Sequence, residues 1–485
     1  MEISQKKILV LLPIILIALF ISTFKLTESP RTWYDDGLFM QIARNVAHFN
    51  SFGVQSAPGE INRSIATYVT TGYPVTYPIG LIFKLAGVGL LQARIVMVIF
   101  LMFLVVVSFV LISRLFGYKR AVISAILLAS FAPLYGNGKI VLGEVPGLFF
   151  LILLLWSLNR WETSKKVDRR SSIFIGLAAG LTVVTKPIFI LLVPAVLVAV
   201  SLKRKTVPLN TASILYVLAS FLIPAGLFFV TYFGKDDSLL KVLAFYGNNY
   251  SAQLADIKNA IFNNSLKAFK EATPAYFMSM MFFWLAFAWL RIRQEKAITL
   301  AESTAIMFSI LIGLAWLKTP GWYRYFFPGH VLALLFFPVS FLDISKFVNR
   351  QFLKNKLPAF LPLAGLVAII AVQFYQVGFS SWVASDYHST RSKELAEYFR
   401  DFKKEKSVFV YEAAETVTFL PSDNYYQFFH ITGDRFFGDR QPLITGVPDE
   451  VIISSKSMLN AREYLKAYKL KTKLYRDLYL VFEKK

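Results

Sequence analysis

The chain has 485 residues, 56% of them hydrophobic, 16% aromatic and only 17% charged, and its mean hydropathy is +0.53; a soluble domain carries about 25% charged residues. Cysteine is absent, which excludes a disulfide scaffold and thiolate zinc sites, and four scattered histidines (His48, His330, His388, His430) leave little for a histidine metal centre. The net charge of +22 would suggest nucleic acid on a soluble protein, but on this composition it asks which side of a bilayer the positive residues occupy.

Charge-free apolar runs occupy 8–24, 95–113, 121–138, 145–159, 171–185, 187–202, 206–234, 272–290, 303–317, 325–342 and 357–385. They predict about eleven transmembrane helices. Several are shorter than the roughly 20 residues that cross about 30 Å of hydrocarbon, which is tolerable where a helix end is buried in protein or opens on a water-filled cavity. Lys186-Pro187 interrupts 171–202, and a single helix there would be about 48 Å long at about 1.5 Å per residue, too long for one untilted span. Loop charge decides between one span and two. With the N-terminus inside, the inner segments hold Lys6/Lys7, Arg114/Lys119/Arg120, Arg160/Lys165/Lys166/Arg169/Arg170, Lys203/Arg204/Lys205, Arg291/Arg293/Lys296 and Lys346/Arg350/Lys354/Lys356, 20 basic residues on one side, as the positive-inside rule expects. A single span at 171–202 would throw every later basic loop outside. No small-residue cleavage site follows the first run, so 8–24 reads as a retained signal anchor.

The expected organisation is a transmembrane module over 1–385 and an extracytoplasmic domain over 386–485. Three larger pieces lie outside: a loop over 25–90, a loop over 235–271 and the tail. In the tail, 390–404 has helical spacing, while 407–411, 450–454 and 478–482 read as short buried strands, enough for a small α/β domain. The fold class is thus an all-α polytopic membrane protein with a small C-terminal α/β domain.

The polar residues that matter stand at span ends. Asp35 and Asp36 precede an amphipathic helix from Gly37, with Leu38, Phe39, Ile42, Ala43, Val46 and Phe49 on one face and Gln41, Arg44, Asn45 and His48 opposite. Such a helix suits the outer interface. The acidic pair admits two readings: helix-start chemistry, since Asp is favoured there, or catalysis. Adjacent residues point in different directions, so the two carboxylates divide their work, one at a reacting group and one on a basic partner or a cation. Arg94, Lys139, Glu144, Lys186, Lys318 and Arg324 all fall on the same outer side by parity, where ionisable groups at membrane depth mark a functional site unless Lys and Arg merely snorkel. For Glu144 the structural alternative is a salt bridge to Lys139 or Lys186. Gly176 and Gly180 form a GxxxG that reads as close helix packing. Asn62-Arg63-Ser64, Asn249-Tyr250-Ser251 and Asn263-Asn264-Ser265 fit the glycosylation triplet, and TTGYPVTYPIG (70–80) reads as a rigid aromatic rim or an irregular connection.

Four of these segments together resemble the polyprenyl-phosphate-sugar-dependent glycosyltransferases of the GT-C fold, in the protein O-mannosyltransferase and aminoarabinose (lipid A) transferase branch. Asp35-Asp36 followed by GLFMQIARN looks like that branch's acidic pair in the first outer loop, where the family more often has Asp-Glu. GEVPGLFFLILLLW (143–156) resembles its acidic residue opening the fourth span, LTVVTKPIFILLVP (181–194) its Leu-Thr-Lys-Gly/Pro stretch, and WYRYFFPG (322–329) its Arg-Tyr segment. The resemblance covers residues 1–345. It implies a multi-pass plasma-membrane enzyme that transfers a sugar from a polyprenyl-phosphate donor to a hydroxyl of a protein, lipid or glycan acceptor at the outer face, by inverting displacement. Asp35, Asp36 and Glu144 are the expected catalytic residues. Lys186 and Arg324, helped by Lys318, Arg94 or Lys139, are the expected holders of the donor phosphate. No nucleic acid, nucleotide or other cofactor is called for, and two adjacent acids are too few ligands to specify a divalent cation. The competing readings are a lipid-linked sugar flippase or transporter, disfavoured because the polar groups cluster at one face rather than the midplane, and a non-catalytic envelope assembly protein.

Overall fold

The computed structural model describes residues 5–63, 71–164, 169–204, 210–234, 237–249, 256–354, 356, 358, 360–428, 446–462 and 464–485. Lys165, Lys166, Lys205, His430 and the last residues of the triplets at Asn62 and Asn249 lie outside them.

All eleven apolar runs fall on helical segments. These are α1 (Gln5–Thr23), α4 (Leu90–Phe116), α5 (Tyr118–Ala129) with α6 (Ala132–Gly138), α7 (Glu144–Thr163), α8 (Arg169–Thr185), α9 (Leu192–Leu202), α10 (Thr211–Tyr232), α13 (Ala272–Arg293), α14 (Leu300–Leu317), α15 (Phe327–Gln351) and α16 (Leu361–Tyr375). Among the described residues six helices are long and apolar enough to span a bilayer, or seven if the bent pair α5–α6 is one span; α1, α7, α8 and α9 are the other expected spans. The run 121–138 is not one straight helix, since α5 and α6 meet at 63° where Pro133 removes a backbone donor.

The packing is inverted relative to a soluble protein. On α10, Leu215, Leu218, Leu222, Ile223 and Val230 are exposed while Ser213 and Ser220 are buried, as expected of a helix whose outer face meets lipid tails. Gly176 and Gly180 of α8 lie against Val217, Ser220, Phe221 and Pro224 of α10, so closely that a Cβ at Gly176 would overlap them. The GxxxG serves close helix packing. Inside the bundle aromatic rings fill the seams, with Phe189 stacked on Phe308 and Trp284 on Phe336.

Ion pairs gather several charged helix ends at one end of the bundle. Arg120 pairs with Asp343 at 2.6 Å, Arg291 with Glu302 at 2.6 Å and Lys203 with Glu162 at 3.6 Å. Glu162 also accepts from the Leu300 amide at 2.6 Å, and Glu302 feels the charge of Lys203. Basic residues from several of the segments grouped by sequence parity thus meet in space.

The segments read as outer loops carry structure of their own. Residues 25–90 hold α2 (Tyr34–Phe49), a hairpin of β1 (Val54–Ala57) and β2 (Glu60–Asn62), and α3 (Tyr73–Ala86). TTGYPVTYPIG is therefore neither a rim nor an irregular connection over its described part: it opens a helix, with Pro74 in the first turn, where its missing N–H is no loss. Residues 235–271 hold α11 (Leu239–Asn249) and α12 (Ile257–Lys270), and α12 carries Asn263-Asn264-Ser265 on a helix.

After α16 the chain forms α17 (Arg391–Arg400) and a five-stranded sheet of β3 (Val408–Tyr411), β4 (Tyr425–Phe428), β5 (Glu450–Ser454), β6 (Tyr468–Leu474) and β7 (Tyr479–Lys484). The order is β4-β3-β5-β7-β6, parallel across β4, β3 and β5 and antiparallel from β5 through β7 to β6. Leu395 and Phe399 of α17 pack on Val408, Val410, Ile452 and Val481.

Candidate active site

The sheet domain sits on α2. The polar face of that helix is not solvated, as an interface helix would have it. Arg44, 2% exposed, donates to Asp423 Oδ1 at 2.8 Å and to the carbonyls of Val417, Leu420 and Ser422; Gln41 donates to Gln427; and Gln55 of the hairpin reaches the Asp423 and Tyr425 carbonyls. Gly37 is where the backbones touch, since a Cβ there would overlap Ala414 and Glu415 main-chain atoms. Glu415 is buried against Arg391 and takes a 2.6 Å bond from Tyr479 Oη; burial pushes its carboxyl above the usual range although Arg391 opposes this.

The acidic pair stands in the first turn of α2, but it does not cap. The N-cap residue is Trp33, with no side-chain cap bond, and both carboxylates reach distant cations instead. Asp36 is fully buried. Its Oδ2 meets Arg94 Nη2 at 3.3 Å and its Oδ1 accepts the Val141 amide at 2.8 Å. Arg94, also fully buried, donates its other nitrogen to the Leu26 carbonyl at 2.6 Å. Of the two carboxylates Asp36 is thus one that sits on a basic partner, and that partner is Arg94, not Lys186 or Arg324. Lys139 donates to the Phe24 carbonyl at 2.7 Å. Arg94 and Lys139 thus hold the segment that joins α1 to α2, and Arg94 also holds the start of α2 through Asp36.

Asp35 points elsewhere. Its Oδ2 accepts from Arg324 Nη1 at 2.5 Å, and its side chain is 36% exposed. Arg324 lies on the single turn before α15, with its guanidinium over the rings of Trp33, Trp322 and Tyr325 at 5.9, 4.8 and 5.5 Å. Stacking fixes a guanidinium without consuming its donors. Lys186 and Glu144 form the second pair, 2.5 Å apart and almost wholly buried. Pro187 holds Lys186 in extended conformation at the break after α8, and Gly143 lets the start of α7 come up to it, because a Cβ there would lie 2.6 Å from the Thr185 carbonyl. The two pairs share one electrostatic neighbourhood: Lys186 feels Arg324 and Asp35, and Arg324 feels Glu144. Among the described residues Glu144 Oε2 is buried without a hydrogen-bond partner. Lys318, directly after α14, is exposed and makes no ion pair among the described residues.

Of the eight residues singled out, four thus converge (Asp35, Arg324, Lys186, Glu144), three form a support beneath α2 (Asp36, Arg94, Lys139) and one stands on an adjacent turn (Lys318). Gly37, Glu415 and Arg391 were missed. Only Gly37, at the start of an otherwise apolar-periodic helix, carried a sequence signal. Among the described residues no group of three or more His, Asp or Glu side chains is placed to hold a metal ion.

Residues 73–229 match the family model described as dolichyl-phosphate-mannose-protein mannosyltransferase. No curated protein sequence matches the chain. Among solved structures, ArnT from Cupriavidus metallidurans bound to undecaprenyl phosphate is similar at TM-score 0.65 and 13% identity, over 99% of this chain and 98% of that one. The Archaeoglobus fulgidus oligosaccharyltransferase tethered to an acceptor peptide is similar at TM-score 0.54 and 13% identity, over 87% of this chain and 64% of that one. The chain has the GT-C fold, that of a helical polytopic membrane protein with a small C-terminal sheet domain, and its matched segment carries the sequence pattern of the mannosyltransferase family.

Proposed function

We propose that the chain is an integral membrane glycosyltransferase that moves a sugar from a polyprenyl-phosphate donor to an acceptor hydroxyl at the outer membrane face. The observation that carries this is the quartet of Asp35, Arg324, Lys186 and Glu144, drawn from four distant segments into one neighbourhood. The family model's donor and the undecaprenyl phosphate bound by ArnT support a lipid-phosphate donor.

The reaction needs a base for a weak nucleophile and cations for a leaving anion. As the acceptor oxygen bonds to the anomeric carbon, its proton passes to Asp35. The carbon–oxygen bond to phosphate breaks, and its electron pair leaves on the lipid phosphate. That phosphate gains a second negative charge, so Lys186 and Arg324 bind it more strongly in the transition state than in the donor. In the resting protein Arg324 is paired with the Asp35 carboxylate, and a donor phosphate competes for Arg324 and frees that carboxylate to act as base. Glu144 orients Lys186 and offers Oε2 to a substrate hydroxyl. Asp36, Arg94 and Lys139 hold the helix that carries Asp35.

The test is consumption of a polyprenyl-phosphate sugar by the purified full-length protein, read as release of polyprenyl phosphate and labelling of an acceptor. Offering several lipid-phosphate sugars, the mannose form first, separates the choice of sugar from the reaction class. A donor moved across vesicles unchanged, with no polyprenyl phosphate released, would establish the flippase reading instead.

A further inference from the structure

A polar cavity lies at the end of the bundle opposite the quartet. It encloses about 500 Å³ between the ends of α4 and α13 and the far part of α15, within the size range of small-molecule sites. On α15, Asp343 lies 16 residues beyond Phe327, about 24 Å along the axis, and on α4 Phe116 lies 22 residues beyond Arg94, about 33 Å. Those spans match the roughly 30 Å of a bilayer core. The cavity therefore faces the other membrane surface.

Its polar lining is mostly cationic: Arg120, Arg291, Lys296, Lys346 and Arg350, against the single carboxylate of Asp343. Two of the arginines are fixed in place. Arg120 donates to both oxygens of Asp343, at 2.6 and 2.8 Å. Arg291 pairs with Glu302 and lies over the rings of Phe116 and Phe287 at 5.8 and 5.3 Å. Lys296, Lys346 and Arg350 make no ion pair among the described residues, so the cavity holds uncompensated positive charge. Its remaining walls, Leu115, Leu290 and Phe347 among them, are apolar, and Phe352, 70% exposed, lies against Phe347 with ring centroids 6.3 Å apart. A ring of snorkelling Lys and Arg is ordinary at this surface. A ring does not explain five cations converging on one concave space with two guanidinium groups already oriented.

We propose that this cavity binds the phosphate headgroup of an anionic membrane phospholipid, with the acyl chains running out over its apolar walls, Leu115, Leu290 and Phe347, toward Phe352. The cations supply charge-assisted bonds to phosphate oxygens. The apolar rim selects a lipid over a soluble phosphate ester. The site is separate from the quartet, so neither reading depends on the other.

Delipidated full-length protein in detergent is titrated with dioleoylphosphatidylglycerol, dioleoylphosphatidylcholine or sn-glycerol 3-phosphate, and adducts are counted by native mass spectrometry. Phosphatidylglycerol should be retained well above phosphatidylcholine, and sn-glycerol 3-phosphate should not be retained. Lys346→Ala/Arg350→Ala removes two exposed, unpaired cations and spares the ion pairs, and it should weaken phosphatidylglycerol retention by about tenfold or more, from the usual worth of a basic residue at an anionic surface. Arg169→Ala/Arg204→Ala removes the same charge from the same end of the bundle outside the cavity and should change retention by less than about twofold. Equal loss in both double variants, equal retention of the two phospholipids, or equal binding of sn-glycerol 3-phosphate would each overturn the proposal.

Discussion

At the residue scale the two neighbouring aspartates have separable fates, and their substitutions should tell them apart. Asp35→Asn keeps the shape and removes the base, so turnover should fall by about 10²–10⁴ while donor binding and thermal stability stay near normal. Asp36→Asn leaves Arg94 buried and short of its counter-charge, and losing one partner of a buried pair costs about 3–5 kcal/mol. Its melting temperature should drop, while the folded fraction keeps most of its turnover per molecule. A dead but stable Asp36→Asn alongside an active Asp35→Asn would exchange the roles. Lys186→Ala and Arg324→Ala should each lower turnover with the protein still folded, as measured by polyprenyl phosphate release; full activity in both would remove them from the leaving-group site. Sequence made Glu144, Lys186 and Arg324 legible because each borders an apolar run, where charge is costly, and Asp35 because it opens an amphipathic helix. Pairing was less legible. Parity put Arg94, Lys139, Lys186 and Arg324 on one side, but the choice of partner depends on helix rotation and on Val141 and Leu26, whose backbone groups complete the Asp36–Arg94 network.

At the element scale, α2 is the joint of the molecule: one end carries the candidate base, its apolar face packs with α3, and its polar face holds the sheet domain. Gly37 tests that joint. Alanine favours a helix interior over glycine by about 1 kcal/mol, so on an isolated helix Gly37→Ala would stabilise. Here the added methyl meets the backbone of Ala414 and Glu415, which cannot rotate away, and overpacking of this kind costs about 1–3 kcal/mol. The clash should win: limited proteolysis should release the C-terminal domain faster in Gly37→Ala than in the wild type, and unchanged cleavage would show that the contact yields. Long apolar runs and the buried strands β3, β5 and β7 were readable because their neighbours on the core side are all hydrophobic. Helix α3 was not, because its proline pairs look like turn chemistry until Pro74 is seen in the first turn. Strand β6 was hidden by Lys469, Lys471 and Lys473, which suit an edge strand that must not recruit another chain.

At the scale of the whole molecule, the basic helix ends and the candidate site sit at opposite ends. Arg44 and its partners bind α2 to the sheet domain, and Asp35 of α2 is paired with Arg324, whereas Arg120, Arg160, Lys203, Arg291 and Arg350 belong to helix ends far from them. Since basic loops stay inside during insertion, the sheet domain and the quartet should face the outside together. This coupling sharpens the topology experiment, because the side of the C-terminal domain reports the side of the chemistry. A reporter fused after Lys205 should read cytoplasmic and one fused after Ser385 extracytoplasmic. The second fusion decides the matter: α2 cannot lie across the membrane from a domain whose Asp423, Val417 and Leu420 hold its Arg44. A cytoplasmic reading at Ser385 would carry Asp35, Arg324, Lys186 and Glu144 inward with it, and the acceptor would then have to be sought on the inner face.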